Sequence, residues 1–305
     1  MAEGVINRED FPRALLEWRG CPECLWFLGD KGLLQSDFLV SVVGTRNPSH
    51  EGILRTRKLV QTLVSEGVTV VSGLAQGVDY VAHSTTLGLG GATIAVMGTP
   101  IDDCYPKEHL GLKSTIASAG LVLSQFEPGS PSRRYNFPRR NETMAAMSAI
   151  TIVTEATPNS GTRHQVAAAI KLGRRVGFLA SLAAQQIPWI EEALQSELAF
   201  VIDSPSKIVD VIGRCRIKPL VETETAAVDP CLSVSLGTET VTEHVDFDRP
   251  AVGGRAVEEH EAGEGDNTVS GERDPTIDPP GGLMSWIKGM LGWVFGYGPQ
   301  NRPKK

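Results

Sequence analysis

"VTVVSGLAQGVDYVAH", residues 68–83, joins a near-continuous apolar run to Ser72-Gly73, then a second glycine, then an Asp and a His inside a helical pattern. A run that is apolar at successive positions belongs to a strand covered on both faces. A strand that passes through glycine into a helix is the repeating unit of a parallel α/β sheet. The unit recurs along the chain. Apolar runs at 38–44, 92–98, 121–126, 149–156, 175–180 and 199–202 alternate with helical patterns at 51–66, 79–88, 107–119, 140–147, 162–172, 188–196 and 205–213. Ser49 is placed to cap the first of these helices, and Pro205 suits the first turn of the last. The expectation is an α/β fold: a doubly wound, mostly parallel, extended Rossmann-like sheet over 38–215, after a short lead-in at 1–37.

Charge divides the 305 residues into three. Residues 1–219 carry 22 Lys and Arg against 21 Asp and Glu, so the body is nearly neutral. Residues 220–280 carry 3 against 15, and 281–305 carry 4 against none. With few apolar residues, 216–280 reads as a disordered acidic linker. The Trp-rich "LMSWIKGMLGWVFGYG" at 283–298 reads as a short apolar helix with a basic end. Its length falls short of the roughly 20 residues of a membrane span. Docking on the body, on a partner or on a membrane surface all remain open for it.

Met1 is followed by "AEGVINREDF", with no apolar signal core, so a cytoplasmic protein with reduced thiols is expected. Cys21 and Cys24 form a lone C-x-x-C, and no second pair or paired His completes four zinc ligands. Buried thiols are the better reading; no metal and no cofactor is expected.

Several catalytic readings fail on spacing. Ser72 lacks the preceding glycine of a G-x-S-x-G nucleophile elbow, and Ser72, Asp79 and His83 lie too close in sequence to assemble a triad by themselves. "GLGGATI" (88–94) places its glycines before a strand, whereas a dinucleotide fingerprint follows one. No G-x-x-x-x-G-K-[ST] occurs. What survives is anion binding at strand-end loops. Gly44, Thr45, Arg46 and Ser49 supply close backbone approach, hydroxyls and a guanidinium before a helix start. Ser72-Gly73 and Ser160-Gly161 end two further strands in the same manner, and three such loops at one edge suggest a phosphate-rich ligand. "SRRYNFPRRN" (132–141) interleaves Arg133, Arg134, Arg139 and Arg140 with Tyr135 and Phe137. That mixture suits single-stranded nucleic acid, where Arg tracks phosphate and a ring stacks on a base. A solvated basic loop is the plainer alternative.

The order of these motifs resembles the DprA/Smf family. "FPRALLEWRGCPECLWFLGDKGLL", "VVGTRNPSHEG", "VVSGLAQGVDYVAHSTTL", "GGATIAVMGTPIDDCYP", "GLVLSQFEPGSPSRRYNFPRRN", "VTEATPNSG", "GRRV" and "AFVIDSPSKIVDVI" run in sequence over roughly 11–213. The resemblance implies a non-catalytic, single-stranded DNA-binding protein of natural transformation and recombination that loads RecA, usually as a dimer. It implies that Arg46 holds a phosphate, that Phe137, Arg140 and Asn141 form an F-P-x-R-N element with Phe137 against a base, and that Ser72, Gly73, Gly98, Ser160 and Gly161 line the same edge. It also recasts Cys21-Pro22 as a structural turn.

The chain departs from that pattern in places. Glu142 follows Arg140-Asn141 where the family carries a positive charge, and Arg163 is the candidate to restore it. The Pro-Gly after "GRRV" is missing, and the acidic and Trp-rich segments stand where a winged-helix domain is frequent. The acidic run could act as an internal DNA mimic or as a plain linker. Two rivals belong to another class: a nucleotide-binding sensor, or a nucleotide phosphoribohydrolase of the LOG type. In the latter, Gln165 would stand where an acidic residue is needed, and an amide is no general base.

Overall fold

The computed structural model describes residues 2–217. Among them, nine strands make one sheet: β1 (Glu3–Asn7), β2 (Cys24–Gly29), β3 (Leu39–Val43), β4 (Thr69–Ser72), β5 (Thr93–Met97), β6 (Leu121–Ser124), β7 (Ile150–Val153), β8 (Arg175–Leu179) and β9 (Ala199–Ile202). The helices are α1 (Arg13–Leu16), α2 (His50–Ser65), α3 (Val78–Gly88), α4 (Leu110–Ala119), α5 (Asn136–Met147), α6 (Thr162–Lys171), α7 (Ala180–Ala183), α8 (Pro188–Leu194) and α9 (Pro205–Ile217). None of the described helices is long and apolar enough to cross a membrane.

The spatial order is β1-β2-β6-β5-β4-β3-β7-β8-β9. From β6 to β9 every neighbouring pair is parallel, while β2 runs antiparallel to both β1 and β6. Every residue of β3, β4 and β5 is buried, as a sheet covered on both faces requires. Alternate side chains of β3 serve opposite layers. Leu39 and Val43 join the cluster holding Met144 and Val166 of α5 and α6. Val40 and Val42 join Leu59, Val60 and Ala82 of α2 and α3. Ser41 shares the α5 face and hydrogen-bonds the Ser148 hydroxyl at 2.8 Å.

Three differences from the sequence reading matter. The sheet begins before residue 38, because β1 and β2 extend it at one edge. Continuous apolar runs could not reveal them: β2 alternates buried and half-buried residues, and β1 buries only Ile6. The second difference is that α5 starts at Asn136, four residues before the expected 140, with Pro138 in its first turn, where a missing N–H costs nothing. The basic-aromatic segment is therefore half loop and half helix. Finally, α9 runs to Ile217, past the expected helix end at 213. The acidic linker and the Trp-rich segment lie outside the described residues.

Chain order moves one way from β3 through β4 and β5 to β6, and the other way from β7 through β8 to β9. The reversal falls between β3 and β7. Ligands of open α/β sheets sit beyond the carboxyl ends of the strands at such a switch point, so topology alone directs attention to the loops after Val43 and Val153.

Candidate nucleic-acid interface

Those two loops border a cleft of about 360 Å³. Gly44, Thr45 and Arg46 line one side; Asn159, Ser160, Gly161 and Thr162 line the other; Phe137, Arg140 and Asn141 of α5 close a third. The loops are stapled together. Thr45 N donates to Glu155 O at 2.8 Å, and the Thr162 hydroxyl donates to Gly44 O at 3.4 Å. A Cβ on Gly44 would lie 2.6 Å from both Glu155 O and a Val78 methyl, so only glycine lets the loops approach this closely. Ser160 caps locally, its hydroxyl donating to Thr162 Oγ1 at 2.9 Å.

Beside this cleft lies a smaller recess of about 40 Å³, lined by Arg46, Gly73, Gln76, Tyr105 and Phe137 among others. Phe137 forms the wall between the two. Its ring presses on Gly98, where a Cβ would stand 2.5 Å from the ring edge. The Arg46 guanidinium sits 6.0 Å from the ring centroid, and Tyr105 meets the ring edge-on at 5.7 Å and 63°. Arg46 is exposed and Phe137 half-buried, so a cation and an aromatic surface face the same space.

Four of the sequence-nominated residues are engaged by the protein's own groups instead. Ser49 does cap α2, accepting from Gly52 N at 2.9 Å, but its backbone N–H and hydroxyl both donate to the Glu155 carboxylate, at 3.0 and 2.9 Å. The anion at this helix start is the protein's own. Ser72 is fully buried and its hydroxyl donates to Val42 O at 2.7 Å, which removes it from any rim. Gly98 is the seat of the Phe137 ring rather than a phosphate contact.

Arg140 is the fourth. Only 4% of it is exposed, and it donates to Gly73 O, to Val96 O at 2.7 Å and to Asn141 Oδ1 at 2.9 Å. Asp79 accepts from Gly73 N at 3.1 Å and Ala75 N at 3.3 Å in the same loop. Arg140 and Asp79 thus hold Gly73 by its carbonyl and its N–H. Burial pushes the Asp79 carboxyl above its ordinary value, opposed by the Arg140 charge and the loop N–H groups. Burial likewise lowers Arg140, opposed by Asp79. Beneath them, burial holds His83 down to about 3, with Nδ1 sharing a 2.8 Å hydrogen bond with Thr93 Oγ1. No hydroxyl, base and acid converge here into a triad.

Because Asp79 offsets Arg140, the net positive charge of the cleft rests on Arg46. Arg134 and Arg139 are exposed to either side of Phe137 along the chain and line neither the cleft nor the recess. Arg163 is also exposed, but it borders a different groove of about 560 Å³, between α6 and Trp189 of α8, so it does not replace a charge beside the cleft. Sequence reasoning missed Glu155, Asn159, His164 and Tyr105. Gln165, 1% exposed, lines the cleft with its Nε2 unpartnered. Only the strand-end position of "TEATPNSG" signalled Glu155 and Asn159; nothing local signalled what their side chains face.

The fold is Rossmann-like, and its switch-point cleft joins an exposed guanidinium to an aromatic face, chemistry suited to an anionic ligand with flat groups. The chain belongs to the DNA recombination-mediator protein A family, whose model matches residues 4–213. It is 44% identical over 155 residues to protein Smf of Synechocystis, covering 50% of this chain and 39% of that one. It is 39% identical over 166 residues to the DNA processing protein DprA of Streptococcus pneumoniae, covering 54% and 58%. The chain spans about half the length of the curated relatives it matches. The solved Streptococcus pneumoniae DprA superposes with a TM-score of 0.62 at 32% identity, over 69% of this chain and 74% of that one. The Helicobacter pylori protein, studied for its single-stranded DNA binding mode, also gives 0.62, at 26% identity over 70% and 97%.

Proposed function

We propose that this protein binds single-stranded DNA at the switch-point cleft, as a non-catalytic DNA-processing protein of transformation and recombination. The observation that carries this reading is the Arg46 guanidinium beside the half-buried Phe137 ring, a phosphate contact and a stacking face in one corner. Gly44, Thr45, Asn141, Ser160 and Gly161 shape the cleft, Gly73 the adjoining recess, and Arg134 and Arg139 add charge on the approach. Family membership supports the same reading, and the proposal extends to a cytoplasmic homodimer that loads RecA.

A non-catalytic role is supported by the cleft's chemistry. Asp79 is its one lining carboxylate among the described residues, and it is buried and bound to two backbone N–H groups. Gln165 offers an amide, which neither gives nor takes a proton as a general base does. The experiment is a gel shift of the full chain on an oligothymidine strand. Binding should weaken as salt rises, because bound phosphates release counterions. Absence of binding at low salt would remove the proposal. Incubation with nucleoside monophosphates, followed by assay for free base, should give none.

A further inference from the structure

Tyr105 is the most conspicuous side chain beside the cleft that the cleft itself does not use. It stands 56% exposed at the tip of the loop after β5, against the edge of Phe137. An exposed ring on a mobile loop would mean little, but this loop is tied down from several sides. Lys113, only 6% exposed, sends its ammonium under the loop to Ile101 O and Asp103 O. Cys104 Sγ contacts Pro106 O at 3.4 Å, and His109 Nδ1 lies 2.9 Å from Leu74 O. From the basic segment, Ser132 donates to Asp103 Oδ2 at 2.9 Å. Buried groups fix the backbone while the tyrosine ring is left outside. A pre-positioned aromatic ring loses little conformational freedom on binding.

We infer that Tyr105 is a second base-stacking platform, taking the nucleotide next to the one held at Phe137. This rests on the single-stranded DNA reading of the cleft. The 5.7 Å between ring centroids exceeds the roughly 3.4 Å rise of stacked bases, and the rings are inclined by 63°. Neighbouring bases on the two rings are therefore unstacked from each other, which excludes a duplex and requires a splayed single strand. The loop's tie to Ser132 places the Arg133-Arg134 segment alongside, so the strand leaves Tyr105 toward positive charge.

The test uses the full chain and an oligothymidine of about ten nucleotides, within the usual site size of single-strand binders. Tyr105→Ala should weaken binding about tenfold with an unchanged salt slope, since a ring and no phosphate contact is lost. Tyr105→Phe should stay within about twofold, because stacking needs the ring and not the hydroxyl. In parallel, oligonucleotides with one photoreactive 5-iododeoxyuridine at successive positions should cross-link to Tyr105 and Phe137 from adjacent nucleotides. This second readout uses the unaltered protein. If the unaltered protein binds no oligothymidine, the reading of the whole cleft falls. If it binds, but Tyr105→Ala binds equally well, or Tyr105→Phe loses as much as Tyr105→Ala, or cross-links omit Tyr105, the second platform alone is overturned.

Discussion

Two corners of one sheet edge carry the same sequence promise and meet different fates. At the start of α2, Ser49 and its N–H are met by the Glu155 carboxylate, so the anion position is filled from within. Three residues earlier, Arg46 stands exposed beside Phe137, and no acidic side chain among the described residues is paired with it. Both corners follow a glycine-ended apolar strand. Whether such a corner is a scaffold or a site depends on what the opposite loop brings to it, and here β7 brings an acid to one and leaves the other open. The same contrast separates two arginines: Arg140 is bound to Gly73 O and Val96 O, while Arg46 has no acidic partner among the described residues.

The contrast can be broken most forcefully at Arg140. Arg140→Ala strips partners from two buried carbonyls and leaves Asp79 without its compensating charge. Loss of about 3 kcal/mol of stability is expected, read by urea unfolding, with DNA binding lost as the Gly73 loop loosens. A change under about 0.5 kcal/mol would place Arg140 with the surface residues. Acid should act on the same region. His83 is depressed to about 3, so the folded state resists its protonation. The stability it contributes is complete above the unfolded value near 6.5 and is lost as pH falls toward 3, at about 1.4 kcal/mol per unit for this one group. His83→Gln should flatten that part of the unfolding profile measured between pH 6 and 4.

The closed corner is sharpened by opening it. Glu155→Ala should cost about 1–2 kcal/mol, since it removes charge-assisted hydrogen bonds at a helix start. Added inorganic phosphate should then restore part of the lost Tm in the variant and none in the unaltered protein. If phosphate raises both melting points equally, the corner was never occupied by Glu155 in the sense argued. The smallest effect belongs to Arg163→Ala, which should change oligothymidine affinity by less than about twofold, because that side chain borders the Trp189 groove. A larger loss in a gel shift would extend the DNA path across α6.

These positions show how far the sequence could be read. The seven parallel strands were legible because a doubly covered sheet makes nearly every position apolar, and the order of elements then located the ligand edge. β1 and β2 were hidden because an antiparallel edge buries alternate residues or fewer. Within the site, Gly44, Thr45, Arg46, Phe137, Ser160 and Gly161 follow from strand-end loops and from basic-aromatic interleaving. Ser49, Ser72, Gly98 and Arg140 fit the pattern but are taken up by the protein's own groups. Direction depends on partners such as Val42, Glu155 and Asp79, and a local pattern does not contain them. Tyr105 was passed over for the converse reason: its exposure becomes meaningful only through the internal bonds that hold its loop.

The central claim is that Arg46 beside Phe137 holds a phosphate of a single strand. Its most direct test is the salt dependence of oligothymidine affinity for the unaltered chain and for Arg46→Ala. Replacement of one phosphate-bound guanidinium should weaken binding about tenfold at low salt and reduce the slope of log K against log salt by about 0.7. Equal affinity and an equal slope for the two proteins would contradict it.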